Sequence, residues 1–228
     1  MTGRLNQIVI DAASADFLAW QPLPLEMAHA IAVAMAAGRG QPFIRPLIAA
    51  QSAPLPFYPG TELASLRFED ACSDVFTLTR AGLMLEDGEI DGTNEPIYSH
   101  NERQPPLLLA QTAALYARFF FHFVRAQGSY FKIVQNLQDI AWASGATETD
   151  LIETAAFLLP LTYLGEDTDG CMHLTTTVLF RNALFRTNIV IATRALTRKN
   201  GNEEIELGPG EIALENEVLL IENLPIIL

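Results

Sequence analysis

Asp169-Gly170, followed by Met172-His173-Leu174-Thr175-Thr176-Thr177-Val178-Leu179-Phe180, reads as a turn entering a β-strand. Asp-Gly favours a tight turn, and the run behind it is rich in β-branched and aromatic residues. Upstream, residues 155–164 are ambiguous between helix and strand, because Thr147 and Asp150 form a capping pair ahead of them, and the strand reading is preferred for 157–164. A strand is expected there, since a turn and a second β-rich run follow. Downstream, residues 188–197 predict a further strand. Asn200-Gly201 is the strongest hairpin signal in the chain and leads into residues 203–207. Gly208-Pro209-Gly210 marks another turn, and residues 211–221 supply a last strand or pair. With Tyr130-Phe131-Lys132-Ile133-Val134-Gln135 as one more strand, the chain after Gly128 predicts an antiparallel meander.

Before Gly128 lies the longest apolar run. Residues 107–127 predict a helix whose polar residues Gln111, Arg118, His122 and Arg125 share one face, with Phe119-Phe120-Phe121 buried. Nearer the N-terminus, prolines 22 and 24, Glu26 and Gly38 bracket an Ala-rich helix over 25–37. Prolines 42, 46, 54, 56 and 59 argue against any regular element between residues 41 and 60. Two strands, 63–68 and 74–80, are followed by an acidic, turn-rich loop over 86–103. The fold class expected is therefore α+β: an antiparallel β-meander packed on a long apolar helix, with an N-terminal helical and Pro-rich extension. A curved sheet of cystatin or NTF2 type is one form of it. The chain reads as a single composite domain, 1–228. If it divides, the parts are 1–103 and 104–228.

The chain has 228 residues, half of them hydrophobic and 18% charged, which is material for a core and excludes general disorder. A net charge of −13 repels phosphate backbones, so no nucleic-acid partner is expected. The N-terminus, Met1-Thr2-Gly3-Arg4-Leu5-Asn6-Gln7, has no basic start followed by an apolar core, which points to a cytoplasmic location. No membrane partner is expected either. The one tempting stretch carries Arg118 near its centre, at a cost of roughly 2.5–3.5 kcal/mol in a bilayer. Cys72 and Cys171 form no CxxC and no disulfide framework.

Several patterns carry chemistry. Asp87, Glu89, Asp91 and Glu95, with Gly92 between them, match the acidic positions and the glycine of a calcium loop. Tyr98 stands where a bidentate glutamate belongs, and a solvated turn is the plainer reading. Arg118, His122 and Arg125, joined by Tyr130 and Tyr163, would seat a small anion beside the long helix; the plainer reading is that helix's wet edge. Residues 181–199 hold five basic residues and no acid, whereas 201–228 hold seven glutamates and no base. Cross-strand ion pairing explains that contrast better than steering of a basic partner. Cys171 and His173 would share a strand face, and His100 lies close to Glu102 and Arg103, but neither grouping is a specific catalytic signature. Pro54-Leu55-Pro56-Phe57-Tyr58-Pro59 reads as a self-packing loop before a polyproline ligand.

The chain orders Asp91-Gly92-Thr93-Asn94-Glu95-Pro96-Ile97-Tyr98, then a Phe-rich helix ending Phe123-Val124-Arg125, then Phe131-x-Ile133-Val134. With Val178-Leu179-Phe180-Arg181-Asn182-Ala183-Leu184-Phe185 and an acidic finish ending Leu224-Pro225, it resembles a set of uncharacterised bacterial proteins across residues 55–228. No activity attaches to that set. The resemblance implies a bacterial, cytoplasmic protein read as one unit and carries no functional residue.

No nucleophile elbow, phosphate loop, dinucleotide fingerprint or histidine metal motif is present, so no cofactor is expected. The leading expectation is a non-catalytic soluble binding or protein-interaction module. The apolar tail Leu224-Pro225-Ile226-Ile227-Leu228 would then dock on a protein partner or on a second copy. The alternative is a small-molecule, anion-binding protein or enzyme with its pocket between the long helix and a curved sheet.

Overall fold

The computed structural model describes residues 15–40, 46–69, 71, 73–124, 131–200 and 203–227. The fold is α+β, with helices and antiparallel sheets mixed, and the chain divides into two compact units, Met1–Asp91 and Gly92–Leu228.

In the first unit a short strand β1 (Gln21–Pro22) precedes helix α1 (Leu25–Arg39). The helix runs through Gly38 and stops at Gly40, which takes the left-handed turn (φ +64°) and donates its N–H to the carbonyls of Ala36 and Ala37. Strands β2 (Leu47–Pro54), β3 (Glu62–Phe68), β4 (Val75–Arg80) and β5 (Leu83–Ile90) complete a five-stranded antiparallel sheet in chain order. Two expectations fail here. A strand does form inside the proline-dense segment, because Pro46 and Pro54 stand at its ends and leave residues 47–53 free to pair with β3. The stretch read as an acidic loop over 86–103 is the end of β5, a turn, and a helix α2 (Glu95–Arg103).

Strand alternation divides the sheet chemically. Ala64, Leu66 and Phe68 of β3 pack with Ala28, Ile31, Ala32 and Met35 of α1. The intervening Ser65 and Arg67 face the other way. The loop at Pro54–Pro59 closes on itself, with Tyr58 N–H donating to Leu55 O, and buries Phe57 and Tyr58 edge to face at 4.9 Å.

The second unit continues with α3 (Ala110–Phe123), β6 (Phe131–Ile133), α4 (Glu148–Ala155), β7 (Thr162–Glu166), β8 (Cys171–Phe180) and β9 (Ala183–Ala192). It ends with β10 (Leu196–Asn200), β11 (Glu203–Leu207) and β12 (Ile212–Ile221). One antiparallel sheet has the order β12-β9-β8-β6, with β7 also paired to β8. The β10–β11 hairpin rests Leu196, Ile205 and Leu207 on Val190, Ala192 and Ala213 of that sheet. β12 forms an edge of the sheet, and its register slips between Glu215 and Val218 and again between Leu219 and Ile221.

The long helix is shorter than expected. Leu109 is extended and donates its N–H to Thr112 Oγ1 (2.7 Å), so the helix begins after it, and Val124 is extended again (φ −102°, ψ 135°). Gly128, the expected stop, lies outside the described residues. Residues 157–164 are not one strand. The Thr147–Asp150 pair does cap a helix, with Thr147 N–H to Asp150 Oδ2 at 2.7 Å and Asp150 N–H to Thr147 Oγ1 at 3.2 Å. Pro160 then interrupts the donors, and the strand forms only from Thr162. β9 begins at Ala183 rather than Asn188, because Arg181-Asn182 makes a tight turn with Arg181 at φ +54°, a conformation usually signalled by glycine.

Aromatic packing ties α2 and α3 to the start of β12. Tyr98 stacks on Phe120 with centroids 5.5 Å apart, and its hydroxyl accepts the Ile212 N–H at 3.4 Å. Tyr116 donates to Gly210 O (2.7 Å) and accepts from Asn101 Nδ2 (2.9 Å). A side chain at Gly210 would place its Cβ 2.5 Å from Asn101 Nδ2, and its φ of +74° favours glycine as well. Two residues of the C-terminal tail, Leu224 and Ile226, pack onto their own unit, while Ile227 is exposed and Leu228 lies outside the described residues. Leu224 is buried with Val134, Ile140, Leu179 and Leu184, and Ile226 bridges to Trp142. Among the described residues no helix is long and apolar enough to cross a membrane.

Two predictions follow from this packing. Leu224→Ala should cost about 2–5 kcal/mol in urea unfolding, whereas Ile227→Ala, at 66% exposure, should stay within about 0.5 kcal/mol of the parent. Burial pushes the Tyr98 hydroxyl up to about 12 from 10.0, outweighing the Ile212 hydrogen bond. Its contribution to stability is therefore complete below about pH 10 and lost as pH rises through about 12. Tyrosinate absorbance should show that late step, and Tyr98→Phe should remove it.

Candidate functional site

Two polar constellations stand out, one in each unit. The first lies on the face of the first sheet turned away from α1. Register places Pro22, Gln51, Ser65 and Phe76 in one row across β1, β2, β3 and β4, with Ala49 opposite Arg67 in the next. Above this floor is a groove of about 620 Å³, walled by Asp16, Leu18 and Trp20 and lined also by Asp74. Asp74 is buried at 7% exposure and accepts from Ser65 Oγ at 2.9 Å and Arg67 Nε at 2.6 Å. Trp20 is fixed by its indole N–H, which donates to Ala15 O (3.0 Å), and by a tilted contact with Phe76. The half-buried Gln51 carboxamide makes no side-chain hydrogen bond among the described residues. The polar residues Ser65 and Arg67, alternating with Ala64, Leu66 and Phe68, were the signal in the sequence that this face turns away from the α1 side.

The second constellation is built around the turn between β7 and β8. Asp167 Oδ1 accepts the N–H groups of Asp169 (3.0 Å) and Cys171 (2.9 Å), and Gly170 takes the positive φ that the turn requires. Asp167 Oδ2 meets His173 Nε2 at 2.8 Å and Arg198 Nη1 at 2.7 Å. Leu196 and Arg198 share a face of β10, so seating Leu196 on the sheet also aims Arg198 inward, where its Nε reaches Glu215 Oε1 at 2.7 Å. The basic and acidic ends of the chain thus meet within the unit. Burial pushes the Asp167 carboxyl up, but the hydrogen bonds from His173, the Cys171 N–H, Arg198 and the Asp169 N–H prevail and hold it well below the usual carboxylate range. Burial pushes the Cys171 thiol up, and the Asp167 charge adds to that. A thiol kept protonated is a poor nucleophile, and His173 is turned to Asp167. Cys171, His173 and Asp167 are together in space as a structural network.

The other described sequence candidates lie on α3 and β7, which pack against each other, and on β5, the turn after it and α2. Arg118 and His122 are half-buried on α3, with the His122 ring edge-on to Phe123 at 4.7 Å. Arg125 and Tyr130 lie outside the described residues. Tyr163 is on β7 and donates to Met172 Sδ at 3.3 Å. Asp87 and Glu89 are on β5, Asp91 is in the following turn and Glu95 opens α2. Glu89 is ion-paired with Arg39 of α1. Among the described residues no group of three or more His, Cys, Asp or Glu side chains is placed to hold a metal ion.

Comparison of the chain with protein-family models finds no match, and comparisons with curated proteins and with solved structures likewise find none.

The Asp167 network makes a prediction about acid. Because its folded pKa lies below the ordinary value of about 3.9, its stabilisation is complete at neutral pH and is lost as pH falls through the depressed value. Asp167→Asn should therefore be less stable than the parent at pH 7. Unfolding free energies measured across pH should converge as pH drops below about 3.9.

Proposed function

We propose that the protein is a binding module whose ligand seat is the groove over Gln51, Ser65 and Arg67 in the first unit. The observation that carries this is the Gln51 carboxamide, half-buried in the groove floor with no hydrogen bond of its own among the described residues. The carboxamide keeps access to solvent, so its donors and acceptor are available for a bound molecule to take up in place of water. The groove's volume of about 620 Å³ suits a small ligand. Its polar groups are also held in place before anything binds. Ser65 and Arg67 converge on Asp74, and Trp20 is anchored through Ala15 and Phe76. Such preorganisation lowers the ordering cost of binding.

Holding a molecule needs neither a nucleophile nor a general acid, and the groove supplies neither in activated form. In the second unit the His173–Asp167 pair beside Cys171 is locked into charge pairing with Arg198 and, through it, Glu215. That arrangement favours binding over catalysis as the role of the chain.

Titration with amino acids, sugars, carboxylates and phosphates, followed by amide and indole NMR shifts, tests the reading. One of them should move the Trp20 indole and Gln51 carboxamide signals saturably. At about 100 times its dissociation constant it should raise the melting temperature of the chain by roughly 5–11 °C. A panel that leaves both signals unmoved would overturn the proposal.

A further inference from the structure

We infer that the ligand of this groove is an uncharged peptide segment in extended conformation; this rests on the seat proposed above. Charge comes first. Asp74 is buried, and its carboxylate is met by Arg67 Nε at 2.6 Å. Asp16 is exposed and has an interaction of its own. The ionisable side chains that line the groove are thus already engaged. An ion of either sign would give up hydration here without gaining an uncompensated partner. A pair made with the exposed Asp16 would return little.

The open hydrogen-bonding capacity is small and specific. Ser65 is 2% exposed and gives its hydroxyl proton to Asp74, which closes it to a ligand. Gln21 stands next to Pro22 and so falls on the opposite face of β1. Among the lining side chains there remains the Gln51 carboxamide, an N–H donor beside a C=O acceptor. A polyol would bring more hydroxyls than this one group serves, and a hydrocarbon would cover it without replacing its water. An extended residue matches it. The main-chain N–H and C=O of such a residue point to one side, and in a β-ladder it exchanges both bonds with a single partner. The carboxamide offers the same pair of groups in that partner's place.

The strand beneath supplies a second observation. β1 pairs with β2 only at Ser52 and Gln51, and Leu23 N–H adds a bond to Ala50 O. Beyond that point Leu47, Ile48 and Ala49 have no strand beside them on this edge among the described residues. Ala49 and Ala50 line the groove, so the seat runs to where the sheet edge is open. Of these ligand classes only a peptide both pairs with a carboxamide and adds to a strand edge. Leu18, Trp20 and Pro22 provide an apolar wall for one of its side chains. The Trp20 N–H is committed to Ala15 O, so what it offers is ring surface.

The test uses the full chain with Trp142→Phe, which leaves Trp20 as the fluorescent reporter, and the parent chain observed by NMR as a check on folding. The probes are N-acetylated, C-amidated tetrapeptides of alanine and leucine, the same peptide N-methylated along its backbone, and versions carrying lysine or glutamate. Free leucine, glucose, citrate and choline are the comparators. The uncharged peptide should change Trp20 fluorescence saturably and shift the Gln51 carboxamide and the Ile48 and Ala49 amides. N-methylation, or Gln51→Leu, should weaken that binding by about tenfold or more, the loss of roughly two net hydrogen bonds. Free leucine, with both termini ionised, should bind more weakly than the blocked peptide. Binding that ignores N-methylation and Gln51→Leu would overturn the peptide class and leave the groove standing as a ligand seat. So would binding at least as tight for a charged peptide or for any comparator. No response from any probe would overturn both.

Discussion

β8 must satisfy backbone donors and acceptors on both of its edges, and the second unit is arranged around that requirement. One edge is served without interruption by β9, from Cys171 opposite Ala192 to Phe180 opposite Ala183. The other is shared. β7 covers residues Met172 to Thr175, and β6 covers Val178 to Phe180. Between them Thr176 and Thr177 would be left to water, and other groups close the gap. Val134 N–H donates to Thr177 O, while the Thr177 hydroxyl accepts from Leu159 N–H (2.9 Å) and donates to Phe157 O (3.0 Å). Thr176 Oγ1 adds a bond to Leu159 O. The threonine run that reads as generic strand propensity is thus also the clasp for a segment that Pro160 keeps from pairing by backbone alone.

The two units use polar groups differently. In the second, Asp167, His173, Arg198 and Glu215 are saturated by one another, and the network fixes the β7–β8 turn against the β10 hairpin and β12. In the first, the Ser65, Arg67 and Asp74 cluster is equally ordered but opens onto a groove with an unengaged carboxamide beside it. Internal saturation supports a structural role. Order combined with unmet hydrogen-bonding capacity supports recognition.

Periodicity and turn chemistry carried most of the strands. The runs at 63–68 and 172–180 were legible because alternation and β-branching coincide there, and Gly208-Pro209-Gly210 correctly announced β12. β2 was hidden because proline content was weighed over the whole window rather than by position. The early start of β9 was hidden because Arg181 occupies a left-handed turn position without being glycine. The groove was less visible still. Its residues come from segments between Asp16 and Asp74 that only sheet register brings side by side, and no local spacing encodes that register. Arg118 and His122 lie one turn apart on α3, but a helix face alone does not specify what surrounds it.

The slips in β12 have a consequence for how molecules of this protein meet at high concentration. An edge strand with Val218 and Leu219 about half exposed is a template onto which another chain can add. Asn216 at φ +54° and the two register breaks bend that strand out of the flat, evenly spaced geometry such addition needs. The irregularity therefore acts as a built-in guard against fibrillar self-assembly, and straightening it would trade solubility for regularity.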